Sequence, residues 1–140
     1  MQNDFFEWNS TFETGITRID IQHKVIVRIL NELYDIIIGN KEEGKISNII
    51  HELIQYTEYH FSEEEKMFDE YNYIEEKEHK LEHQKFVEEI QVVVSHMNSD
   101  KGMLAIELMN FLKDWLTEHI LDTDKKYVEY FKQQGTEIFY

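Results

Sequence analysis

Five of the seven histidines in this chain, His23, His60, His79, His83 and His119, occur at spacings that suit a shared metal centre, and a carboxylate, Glu64, occurs with them. On a helix, residues four apart lie on one face a single turn apart, so His60 with Glu64 and His79 with His83 each aim at a common point. Given the 4-3-4-3 rhythm of a bundle helix, all six fall on inferred core seams. His51 and His96 fall one step off, and their expected place is the surface. Burying several imidazoles and a carboxylate without partners would cost several kcal/mol per group, against a domain stability of about 5–15 kcal/mol. A bound cation compensates them directly.

A second carboxylate follows His119, and two residues compete for the role. Asp122 and Asp124 both sit where the fourth helix should end, and residues five apart on an unbroken α-helix diverge by about 140°. Only a kink or helix end would turn Asp124 inward, so periodicity leaves the choice open. Five imidazoles and two carboxylates are too many for one metal and about right for two that share the carboxylates. The odd histidine count makes the pair unequal. Three saturate one metal, while two leave the other a position short, where a small exogenous molecule would bind. Imidazole-rich ligation suits iron, copper, zinc or nickel. Ferritin-like carboxylate sites need two Glu-x-x-His motifs, and this chain has one, Glu76 to His79, which disfavours the iron-oxidase bundle.

The elements that must position these residues follow from the apolar rhythm. Helices are expected over about Thr17 to Ile38, Ser47 to Glu70, Glu75 to Met97 and Lys101 to Ile120, with a terminal helix from Thr123 to about Gln134 packed across an end. The first seam reads Ile19, His23, Ile26, Leu30, Leu33, Ile37. The second reads Ile46, Ile50, Leu53, Thr57, His60, Glu64, Met67, Tyr71, the third His79, His83, Phe86, Ile90, Val93, Met97, and the fourth Leu108, Leu112, Trp115, His119. Short connections between helices of about 20 residues, on the order of 30 Å long, predict an all-α, up-down-up-down four-helix bundle. Alternating direction then brings every candidate ligand to the same end. Residues 1–16, with Phe5, Phe6, Trp8 and Phe12, read as an arm that docks aromatic rings on the bundle.

Composition narrows the function classes. With 140 residues the chain is one expected domain, able to bury a core without staples. Zero prolines and five glycines leave few backbone breakers, which favours helix. The 29 acidic against 14 basic residues give a formal charge of −15, which repels phosphate backbones and anionic lipid, so neither nucleic acid nor membrane is an expected partner. Without cysteine there is no thiolate zinc site, iron–sulfur cluster, cysteine nucleophile or disulfide. The first residues lack a basic n-region and an apolar h-region, and no stretch approaches the roughly 18 apolar residues of a membrane span. The expected location is the cytoplasm.

Four motifs in order carry a family resemblance: Gly15-Ile16 and Ile19-Asp20 leading into Gln22-His23-Lys24; His60-Phe61-Ser62-Glu63-Glu64-Glu65; His79-Lys80-Leu81-Glu82-His83; and Trp115 to Ile120 followed by Asp124-Lys125-Lys126-Tyr127. The chain resembles the hemerythrin family, in its single-domain bacterial form. The resemblance implies two non-haem iron ions (Fe2+/Fe3+) with a bridging oxo or hydroxo group, binding O2 reversibly. By motif, His79, His83 and His119 look like the ligands of one iron, His23 and His60 those of the iron that takes oxygen, and Glu64 and Asp124 the bridging carboxylates. The family pattern thus selects Asp124 over Asp122. Leu116 is similar to the family's apolar residue beside the oxygen pocket. The expectation is a binding protein for oxygen carriage, storage or scavenging, open to small anions such as azide. The alternatives are an oxidase or peroxidase fed by an external redox partner, an oxygen, nitric oxide or iron sensing module, and a metal-free bundle whose histidines merely pack.

Overall fold

A computed structural model describes residues 5–39, 43–95 and 101–136. A single 3₁₀ turn, Ser10–Phe12, precedes α1 (Thr17–Ile38), α2 (Glu43–Tyr71), α3 (Glu76–Ser95) and α4 (Lys101–Glu118). α4 runs into a π-helical stretch, His119–Asp124, and then into α5 (Lys125–Gln133). There is no strand among the described residues. α1 packs on α2 and α4, and α3 packs on the same two, so the four long helices close a ring around one core. Off-seam His51 is exposed, while His96 and Met97 lie outside the described residues, as do the side chains of Ile46 and Val93.

Each seam delivers its apolar residues to that core. Ile26, Leu30 and Leu33 from α1, Ile50 and Leu53 from α2, Phe86 and Ile90 from α3, and Leu108 and Leu112 from α4 form one buried cluster. The N-terminal arm joins it: Phe6 and Phe12 are buried there, and Phe5 stacks on Tyr34 with ring centroids 4.9 Å apart. Asn31 clasps the arm twice, its Oδ1 accepting from the Phe6 N–H at 2.8 Å and its Nδ2 donating to the Phe6 carbonyl at 3.1 Å.

α2 ends in a Schellman turn. Asn72 takes the left-handed conformation (φ 55), which asparagine tolerates better than most residues, and the Tyr73 N–H donates to the Phe68 carbonyl at 3.1 Å. The two rings meet at 5.0 Å, the apolar contact that accompanies this cap. They seed a second cluster with Ile16, Ile19, Met67, Tyr127 and Phe131. α5 is thereby pinned over the end of the bundle that carries the histidines.

Asp20 holds the arm to the start of α1. Its carboxylate accepts from the Thr14 N–H at 2.8 Å, the Thr14 hydroxyl at 2.7 Å and the Gly15 N–H at 3.2 Å. Gly15 sits at φ +85, where a side chain would be strained, so the turn needs both glycine and the clasp. Asp20→Ala is expected to cost about 1–2 kcal/mol, or roughly 4 °C in Tm, without changing metal content. Thermal melts check this, and an unchanged Tm would show that the clasp contributes nothing.

Candidate metal centre

All seven predicted ligands are buried, and Glu64 and Asp124 are fully so, at 0% exposure. Alternating helix direction puts His23 near the start of α1, His60 and Glu64 on the last turns of α2, His79 and His83 on the first turns of α3, and His119 just past α4. All lie at one end of the bundle. Asp122 is exposed and takes no part. The π-helical stretch explains why Asp124 does. Hydrogen bonds in such a stretch run from i to i+5, which brings residues five apart to one face. His119 and Asp124 are its first and last residues, and their Nε2 and Oδ1 atoms lie 3.0 Å apart.

Ligand atoms gather into two groups, one of Glu64, His79, His83 and His119, the other of His23, His60 and Glu64. Glu64 Oε1 lies 2.7 Å from His79 Nε2, 3.1 Å from His83 Nε2 and 3.9 Å from His119 Nε2. Its other oxygen, Oε2, is 3.6 Å from His60 Nε2. Asp124 divides in the same way, with Oδ1 3.3 Å from His79 Nε2 and Oδ2 3.2 Å from His23 Nε2. Each carboxylate therefore faces one histidine group with one oxygen and the other group with its second.

These atoms crowd together without bonding to one another. The Nε2 atoms of all five histidines, Glu64 Oε1 and both Asp124 oxygens are buried with no hydrogen-bond partner. Lone pairs that converge at such distances without hydrogen-bond geometry are placed for a shared cation, and the donor set fits iron. Flat aromatic faces hold two of the imidazoles in orientation: Phe61 stacks on His83 at 3.8 Å and Trp115 on His119 at 4.3 Å.

Charge in the metal-free cluster is balanced from within. Burial pushes the carboxyl of Glu64 up, but His79, His119 and His83 outweigh it and hold that group well below the usual carboxylate range. Asp124 is likewise held well below its ordinary value, burial and Glu64 being outweighed by His119 and His23. Burial lowers His79, yet Glu64 and Asp124 carry it up to about 9. His119 is raised in the same sense by Asp124 and Glu64 against the effect of burial. His60, through burial and neighbouring His23, falls to about 3 and stays neutral, as a metal ligand must.

Two residues that the sequence reading left without a role support this constellation. Gln22 Oε1 accepts from His60 Nδ1 at 2.7 Å, and the Tyr127 hydroxyl donates to Glu64 Oε2 at 3.0 Å. The signal for each was thin. Gln22 directly precedes His23 and Tyr127 lies three residues after Asp124, but which buried polar group each would meet depends on helix rotation.

Beside His23, His60 and His119 lies a narrow, mostly apolar cavity whose walls include Ile26, Leu53, Leu112 and Leu116. Its size is at the lower limit for a single water-sized molecule. No described helix is long and apolar enough to cross a membrane.

A four-helix bundle with a histidine- and carboxylate-lined cation centre at one end defines the class. The chain belongs to the hemerythrin family, residues 14–131 matching the hemerythrin HHE cation binding domain. It is 34% identical over 128 residues to a bacteriohemerythrin of Clostridium acetobutylicum, covering 89% of this chain and 99% of that one. A myohemerythrin of Theromyzon tessulatum is 30% identical over 122 residues, covering 87% of this chain and 90% of its own. A solved structure of wild-type hemerythrin superposes with a TM-score of 0.81 at 28% identity, covering 89% of this chain and 96% of that one.

Proposed function

We propose that this chain binds O2 reversibly at a non-haem di-iron site, for oxygen carriage, storage or scavenging. His79, His83 and His119 hold one iron and His23 and His60 the other. Glu64 and Asp124 would be shared between the two irons, together with an oxo or hydroxo group. The observation that supports this best is the division of each carboxylate's oxygens between the two histidine groups. Bound there, the iron pair supplies the electrons that O2 takes up and returns.

The chain's own residues do the rest. The bridging acids stay ionised and lend two negative charges to the cations. Gln22 fixes the ring of His60, and Tyr127, whose hydroxyl is held protonated by burial and by Glu64, donates to the bridging carboxylate. Leu116 and its apolar neighbours admit a small molecule beside the two-histidine iron and keep bulk water out. Azide, a small anion, should compete for that space.

Metal analysis is expected to find two irons per chain. His83→Ala should lose much of that iron, while His51→Ala, on the surface, should keep all of it. Optical spectra of the aerobic, reduced and re-oxygenated protein complete the test. One zinc per chain, or equal iron in both variants, would overturn the assignment. Sustained turnover of O2 with an external reductant would move the reading to an oxidase.

A further inference from the structure

An imidazole that gives one nitrogen to a metal turns the other outward, and the partner of that outward nitrogen sets how strongly the ring donates electrons. The five candidate ligands are unequal in this respect. His60 Nδ1 donates to Gln22 Oε1 at 2.7 Å across the α1–α2 interface, and Gln22 is 4% exposed. His119 Nδ1 lies 3.5 Å from Glu82 Oε2, a carboxylate on α3 whose side chain is 47% exposed. The outward Nδ1 atoms of His23, His79 and His83 are buried without a hydrogen-bond partner. The carboxylate beside His83 Nδ1, Glu65, stands off at 4.0 Å.

Each histidine group therefore has one ring with an outward partner, and the two partners differ in charge. A carboxylate accepting from Nδ1–H pulls that proton toward itself, makes the ring a stronger donor and favours the higher oxidation state of the metal. An amide oxygen orients the ring equally well without adding charge. It also fixes the tautomer, because Nδ1 carries the proton and Nε2, which faces Glu64, is left bare.

We propose that Gln22 and Glu82 are positioning residues that make the two irons electronically unequal, with Glu82 favouring the ferric state at the three-histidine iron and Gln22 keeping the oxygen-binding iron easier to hold ferrous. This rests on the di-iron reading above. Each iron gives up one electron when O2 binds and takes it back when O2 leaves, so the charge beside each outward nitrogen bears on that return. The amide at position 22 supplies orientation without the charge that would oppose that return.

The substitution Gln22→Glu preserves size and shape and changes the acceptor's charge. It should keep two irons per chain and lower the reduction potential. The expected size is about a tenfold shift in the ferric-to-ferrous ratio at fixed potential, equivalent to about 59 mV for one electron. Autoxidation should quicken by a similar factor. Glu82→Gln, at an exposed position, should raise the potential. In the metal-free protein the His60 Nδ1 proton should give a slowly exchanging NMR resonance that Gln22→Leu abolishes.

Unchanged potentials in both variants with two irons bound would overturn the proposal while leaving the di-iron reading intact. If Gln22→Glu loses its iron, Glu82→Gln decides alone, and a potential that fails to rise overturns the proposal. Wild-type protein without an iron pair would overturn both readings.

Discussion

Stripping the iron with a chelator is expected to lower the melting temperature by about 10 °C or more. A ligand bound only by the folded state at 1,000 times its Kd adds about 4 kcal/mol, and each kcal/mol shifts Tm by roughly 2–4 °C in a domain of this size. The metal-free cluster avoids the full penalty of stranded charge, because raised pKa values let His79 and His119 protonate against Glu64 and Asp124. His60 and His83 have no such relief, because burial lowers both. Their buried Nε2 atoms are left without partners in a site that excludes water. Calorimetry before and after chelation, with iron added back, measures the difference. Equal melting temperatures would mean that the imidazoles are structural and that the cation reading is wrong.

The parts of this centre legible in the sequence were those governed by a single helix. His60 with Glu64 and His79 with His83 are pairs four residues apart, and their seam positions follow from the rhythm of Leu53, Phe86 and Ile90 around them. α1 runs Thr17–Ile38, the expected bounds, because Gly39 follows it and its N–H closes on the Asp35 carbonyl at 3.0 Å. α2 begins at Glu43, four residues before the expected Ser47. Lys45 and Ile46 tolerate helix, and Gly44 costs only about 1 kcal/mol there, which does not forbid an extra turn.

What periodicity could not supply was departure from the α-helix. The expected end of α4 near Ile120 is a change of helical type instead, and α5 continues from it. No residue between His119 and Asp124 announces a π-turn, since its cost is local and its return is the placement of His119 and Asp124 on one face. The family pattern selected Asp124 over Asp122 where the spacing could not, and the i to i+5 geometry now gives that choice a physical cause. Gln22 and Tyr127 illustrate a second limit. A residue that touches a ligand from a neighbouring helix is placed by inter-helix rotation, and one helix's spacing does not encode it.

Leu116→Ser is expected to leave the iron count at two and to speed loss of the oxygenated form by on the order of tenfold. Leu116 lies one turn before His119 on α4 and is buried, and it walls the cavity that also touches His23 and His60. An apolar wall there denies water and protons a route to bound oxygen, so the charge-separated products of autoxidation gain no solvation as they form. A serine hydroxyl in the same place offers a hydrogen bond, and the smaller side chain makes room for water. The substitution also creates a cavity that costs stability on the order of 2–5 kcal/mol, which could loosen the site without any change in chemistry. Leu116→Ala separates the two effects: it opens a similar cavity without the hydroxyl, so its decay should lie between those of wild type and Leu116→Ser. Leu116→Met keeps the wall apolar and close to the native volume and should decay like wild type. Stopped-flow mixing of the reduced protein with O2, followed by decay of the oxygenated spectrum, measures all four proteins. If Leu116→Ser decays at the wild-type rate, Leu116 has no part in excluding water, and if wild type itself forms no oxygenated spectrum, the chain is not an oxygen binder.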